Sequence, residues 1–126
     1  MSFIKRLNKK SFMNKIDLKD FIISKLEEKK AEEIKVFQTK NLNIAPYIIV
    51  ANGRSMKNVS ALADYISNEI KNKVGIKISL EGTRNSNWAV LDMQQAVLHI
   101  FHPEARTYYD VDSLFENQTS IATLAS

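Results

Sequence analysis

Five consecutive apolar residues, Tyr47-Ile48-Ile49-Val50-Ala51, constrain this chain more than any other stretch. A strand with one wet face alternates apolar and polar residues. An unbroken apolar run marks a central strand covered on both faces, so the fold needs a layer on each side of a sheet. The flanking segments supply those layers. Leu18, Phe21, Ile22 and Leu26 recur at helical spacing between Asp17 and Lys30, with Asp17 placed to cap the helix and Asp20 near the positive end of its dipole. Ile34-Lys35-Val36-Phe37 reads as a strand, and Asn41 to Pro46 as a turn. Beyond the central run, Gly53-Arg54-Ser55 ends the strand and Ser55 caps a second helix. Met56, Val59, Leu62, Ala63, Ile66 and Ile70 form the stripe of that helix through about Lys73, and Gly75 stops it. Ile76, Ile78 and Leu80 alternate with Lys77, Ser79 and Glu81 as a half-exposed strand, and Gly82 to Asn87 is a polar loop. A hairpin, a Pro103-led turn or helix, and a segment ending near Phe115 complete the body. The expected class is α/β, a mixed sheet of about five strands flanked by helices.

At 126 residues the chain is long enough for one domain, read as 14–117 between a basic flexible tail, 1–13, and a flexible C-terminal tail, 118–126. No apolar run approaches the ~18 residues of a membrane span. The lack of cysteine excludes disulfides and thiolate metal sites, and two histidines make a poor zinc set. No cofactor is expected, and the reading is a soluble, cytoplasmic protein. The net charge of +4 comes from the N-terminus: Lys5, Arg6, Lys9, Lys10 and Lys15 stand there without an acid, leaving the rest of the chain at −1. Such a tail offers at most auxiliary, salt-sensitive contact to RNA phosphates. Met13 also reads as an alternative start.

The hairpin carries the functional signal. A loop of two or four residues centred on Gln94-Gln95 pairs Asp92 with Val97, Val90 with His99 and Trp88 with Phe101, which puts these six on one face. Ala89, Leu91, Leu98 and Ile100 share the other, wholly aliphatic face, which belongs against the helices. Gln-Gln is poor turn chemistry, and a three- or five-residue loop would scramble the faces. The first face has an interface's composition, with Glu81 on the corresponding side of the preceding strand. Arg106 can pair with Glu81 or Asp110 or reach a partner, and adjacent Tyr108 and Tyr109 are expected to split, one inward and one outward. A lone strand tryptophan is also ordinary packing, and the neighbouring aromatic residues bring the two readings level.

Catalytic readings are weaker. Gly53-Arg54-Ser55 lies where phosphates bind at helix starts, with Lys57 nearby, but it is no Walker loop or dinucleotide fingerprint. Asp64 sits on the order of 13 Å along the helix, too far to hold magnesium at that turn. A capping serine and a turn glycine explain the motif more simply. His99 and His102, three apart on a strand, point to opposite faces and cannot chelate one metal.

The pattern resembles the ribosomal silencing factor, or Iojap-like, family over about Asp17 to Phe115. The carriers are Gly53-Arg54-Ser55 with the helix through Ala63 and Asp64, then Glu81-Gly82, Trp88, Leu91-Asp92, Val97, His99, Phe101, Arg106, Tyr108-Tyr109 and Leu114. The resemblance implies a nucleotidyltransferase-like fold without the catalytic acids. It implies a non-enzymatic repressor that binds the large ribosomal subunit through ribosomal protein fourteen and sterically blocks the small subunit, with a possible homodimer through an overlapping surface. Trp88, Val90, His99 and Phe101 are the expected contact face, with Glu81, Asp92, Arg106, Tyr108 and Tyr109 as polar or rim contributors. The alternative is a divergent nucleotidyltransferase-like protein that binds nucleotide. Where the family usually has a glycine-aspartate turn in the hairpin, this chain has Gln94-Gln95.

Overall fold

A computed structural model of the chain describes residues 16–39, 45–82, 86–118 and 121–124. The basic tail, most of the turn at 40–44 and the middle of the polar loop at 83–85 lie outside the described residues, as does the side chain of Asp17 with its expected cap. In chain order the elements are α1 (Ile16–Glu28), β1 (Glu32–Gln38), β2 (Tyr47–Asn52), α2 (Met56–Lys73), β3 (Ser79–Glu81), β4 (Trp88–Asp92), β5 (Ala96–Phe101), α3 (Pro103–Tyr108), α4 (Val111–Gln118) and β6 (Ile121–Leu124).

The sheet is mixed and runs β3-β4-β5-β2-β1-β6. Among the described residues only β2 and β5 pair in parallel; the other neighbours are antiparallel. All five expected strands are present, and β6 adds a sixth along the outer edge of β1. The Thr-, Ser- and Ala-rich composition after Glu116 suggests a fraying end. Pairing with an edge, however, uses backbone groups, which any extended segment can offer. The third strand is shorter than its alternation predicts: residues 76–78 precede it without ladder bonds.

The run at Tyr47–Ala51 is central, as its composition demands. Ile49 and Ala51 face a core built with α1 and α2, which includes Leu18, Ile22, Leu26, Val59, Leu62, Ile66 and Ile70. Ile48 and Val50 face a second cluster with Phe37, Phe101, Ala105, Val111 and Phe115, which lies beneath α3 and α4. Each large side chain so buried stabilises the fold by about 1.5–3 kcal/mol relative to exposure. Ser55 caps α2, its Oγ accepting from the Asn58 N–H at 3.0 Å. At the other end Gly75, with φ of +79°, turns its N–H back to the Ile70 carbonyl at 2.8 Å. Met56 departs from expectation: at the first helical position it is 43% exposed instead of joining the apolar stripe.

Candidate functional site

The two helical layers are unequal. α1 and α2 back the sheet from β1 to β4, whereas α3 and α4 gather over β1, β2 and the end of β5. On their side, part of the β4–β5 hairpin is left open. Its register is the expected one: Trp88 opposite Phe101, Val90 opposite His99 and Asp92 opposite Val97. Ala89, Leu91, Leu98 and Ile100 are fully buried on the far face. Glu81 pairs with Val90 and therefore shares the open side.

A Gln-Gln turn closes this hairpin by an unusual route. Gln94 adopts a left-handed φ of +67°, and the Met93 N–H donates to the Ala96 carbonyl at 3.0 Å. The Asp92 carboxylate accepts from the Gln94 N–H at 3.0 Å, supplying the support that Asn-Gly would provide by conformation alone. Asp92 is thus exposed but already engaged in the turn.

Trp88 is 36% exposed and anchors an aromatic cluster. Its ring lies 4.9 Å from Phe101 and 6.0 Å from Tyr109, while the tilted His99 ring packs 4.9 Å from Phe115. The indole N–H donates to His99 Nδ1 at 3.0 Å, so the imidazole proton belongs on Nε2. Burial pushes the His99 pKa down to about 4, against a smaller opposite pull from Asp92. The ring is therefore neutral at pH 7 and able to accept. Between pH 6.5 and about 4 the unfolded chain binds a proton here that the folded chain refuses. Stability is accordingly expected to fall across that window as the solution is acidified. Urea midpoints at a series of pH values check this, and His99→Gln should flatten the slope.

Trp88 is held from behind. Gly82 has φ of +72°, and a Cβ there would stand 2.1 Å from the Trp88 carbonyl oxygen. Ser86 Oγ accepts from the Trp88 N–H at 3.1 Å and donates to its carbonyl at 2.7 Å. Gly82→Ala is expected to cost more than about 1 kcal/mol and to displace the indole. Denaturant unfolding and tryptophan emission both report on it.

Several expected contact residues stand elsewhere. Phe101 is fully buried, because α3 and α4 close over its end of β5. It supports Trp88 from beneath and is unavailable as a contact. Arg106 is also buried, at 7% exposure, and pairs with neither Glu81 nor Asp110. Its Nε donates to Asp112 at 2.8 Å, and its other nitrogens reach Asp112, the Glu33 carbonyl and Asn52 Oδ1. Tyr108 and Tyr109 do not split: they are 82% and 56% exposed, packed edge to face at 4.9 Å. A six-residue helix ending at Tyr108 leaves both beyond the second core. Beside them opens a groove of about 570 Å³, lined by Met56, Asn87, His102, Glu104 and the tyrosines. The Ser55 cap signals this exposure of Met56, since the first helical position lies at the end of the helix. His102 caps α3 through Nδ1, which accepts from the Glu104 N–H at 3.2 Å.

The Gly53 turn is structural. The Gly53 N–H donates to the Phe101 carbonyl, the Arg54 N–H to Asn58 Oδ1 and the Asn58 N–H to Ser55 Oγ, so these amides are not free to cradle phosphate. A Cβ on Gly53 would meet Val59 at 2.9 Å, which explains the glycine by the close approach of strand to helix. Among the described residues, no group of three or more His, Cys, Asp or Glu side chains is placed to hold a metal.

Comparison with known proteins places this surface in context. The family model described as "Ribosomal silencing factor during starvation" matches residues 13–125. The chain belongs to the ribosomal silencing factor family. Silencing factors from Halalkalibacterium halodurans and Zymomonas mobilis are 28% and 31% identical, covering 86% and 87% of this chain and 94% and 83% of their own. A mouse protein named "Mitochondrial assembly of ribosomal large subunit protein 1" is 25% identical over 76% of this chain and 44% of its own. The fold agrees as well. A crystal structure of a Chromobacterium violaceum protein superposes with a TM-score of 0.73 at 28% identity, covering 87% of this chain and 91% of its own. As a ribosomal silencing factor, the protein is a ribosome-associated regulator of translation. Among its described residues, no helix is long and apolar enough to cross a membrane.

Proposed function

We propose that this silencing factor binds the large ribosomal subunit through ribosomal protein fourteen and represses translation by blocking the small subunit sterically. The observation that carries the reading is the partly open sheet side with Trp88 at its edge. A braced, half-exposed indole flanked by two exposed tyrosines has the make-up of a binding hot spot. Trp88, Val90 and His99 form the centre, with Glu81, Asp92, Tyr108 and Tyr109 around it; Phe101 and Arg106 act from within. The family membership and the large-subunit name of the mouse relative support this partner. The work is occupancy, without catalysis or cofactor, so affinity sets potency. A homodimer through an overlapping surface would compete with ribosome binding. Auxiliary contact of the basic tail with ribosomal RNA would add affinity at low salt. The setting is the cytoplasm.

Sucrose-gradient sedimentation of purified subunits, with and without the protein, tests the proposal. The expected result is co-migration with large subunits and a loss of joined ribosomes. Undiminished joining at saturating protein would reject it. The nucleotide-binding alternative is disfavoured by the occupied amides of the Gly53 turn.

A further inference from the structure

β2 and β5 are adjacent and parallel, but their following helices pack on opposite faces, α2 on one and α3 on the other. Parallel strands whose connections diverge in this way leave a crevice at their carboxyl ends, the usual ligand position in open α/β sheets. Here the crevice is real: a cleft of about 390 Å³ lined by Glu33, Lys35, Asn52, Arg106, Asp110 and Asp112, among others. It shares no residue with the exposed Trp88 face, and of its lining only the buried Arg106 enters the reading above.

Its floor contains a donor without an acceptor among the described residues. Asn52 is 93% buried, leaving 7% exposed, and its Oδ1 accepts from Arg106 at 2.9 Å. A guanidinium only donates, which fixes the amide orientation and turns Nδ2 away from it. Among the described residues none accepts from that Nδ2, and a buried unpaired donor is destabilising. At the rim the charges are unbalanced. Lys35 and Arg106 both bind Asp112, at 2.7 and 2.8 Å, whereas Glu33 and Asp110 have no ion pair among the described residues. Donors on the floor and free carboxylates at the rim disfavour a polyanion such as a nucleotide. They fit a molecule with an anionic and a cationic end.

We propose that this cleft binds a small zwitterion, a free amino acid, with its carboxylate accepting from Asn52 Nδ2 and its ammonium group against Glu33 and Asp110. The test uses the full chain and no ribosomes, so its outcome is independent of the ribosomal reading. Each protein amino acid is titrated singly while the Asn52 side-chain amide resonance is followed by NMR; acetate, ethylamine and ATP serve as controls. At least one amino acid should shift that resonance saturably, and acetate and ethylamine should each bind at least about tenfold more weakly, the cost of one lost charge-assisted contact. Glu33→Gln with Asp110→Asn should weaken amino-acid binding by a similar factor. Asparagine tolerates the φ of +48° at residue 110, so that variant keeps the fold. Three results would each overturn the assignment: no saturable shift by about 10 mM, ten times a Kd of 1 mM; a shift unchanged in the double variant; or preferential binding of ATP.

Discussion

Trp88→Ala is expected to fold yet lose co-sedimentation with large subunits. The indole is the largest exposed anchor of the open sheet face and is braced on Phe101, His99 and Tyr109. Truncating such an anchor costs ~2 kcal/mol or more, roughly thirty-fold in affinity. Folding survives because the far side of β4, Ala89 and Leu91, makes the buried contacts, and Trp88 joins the ladder through its backbone. Near-ultraviolet circular dichroism and a gradient run on the same sample separate the two effects. Trp88→Phe retains an aromatic ring but not the bond to His99, so partial retention of binding would apportion the effect between ring and N–H. A folded Trp88→Ala protein that still migrates with large subunits at wild-type concentration would move the contact surface elsewhere.

Arg106→Ala is expected to damage stability most, by about 3–5 kcal/mol, as when one partner of a buried ion pair is removed. The substitution leaves the Glu33 carbonyl and Asn52 Oδ1 without their donor and the Asp112 carboxylate with Lys35 alone. A domain of this size has about 5–15 kcal/mol in all. Arg106→Lys should recover only part, because an ammonium cannot bridge Asp112, Asn52 and the Glu33 carbonyl with one planar fork. Acid has a related effect. Burial alone would raise the Asp112 pKa, but bonds from Arg106 and Lys35 outweigh it and hold it below the ordinary carboxylate value. Its contribution is present above the unfolded pKa and lost as pH falls through the folded one, in more acidic solution than the His99 transition. Chemical denaturation of wild type, Arg106→Ala and Asp112→Asn across pH distinguishes these contributions.

The sequence reading reached the architecture wherever one periodicity prevailed. The unbroken run of β2, the stripe of α2 and the two-residue alternation of the hairpin each admit one arrangement, and the hairpin register follows from its aliphatic face. What it could not reach were questions of coverage. Strand parity assigns Phe101 to the same side as Trp88, but only the placement of α3 and α4 decides that one is sealed and the other open. Arg106 illustrates a second limit. Its partner Asp112 lies six residues on, across a turn where Asp110 takes a left-handed φ, and its other partners come from β1 and β2. No spacing rule predicts such a convergence. The Gln94 turn is a third case, since the Asp92 carboxylate makes a poor turn sequence workable through a local bond.

The parallel pairing of β2 with β5 also governs how the molecule is made. Tyr47 lies beside Ala96 and Asn52 beside Phe101, so the chain must close a long excursion before its middle strands meet. Loop closure of this kind precedes the contacts that reward it, which slows acquisition of the native state relative to a helical bundle of equal length. The indole platform depends on β5 and on Phe115 beneath His99. A nascent chain therefore lacks this platform until it has been extended through Phe115.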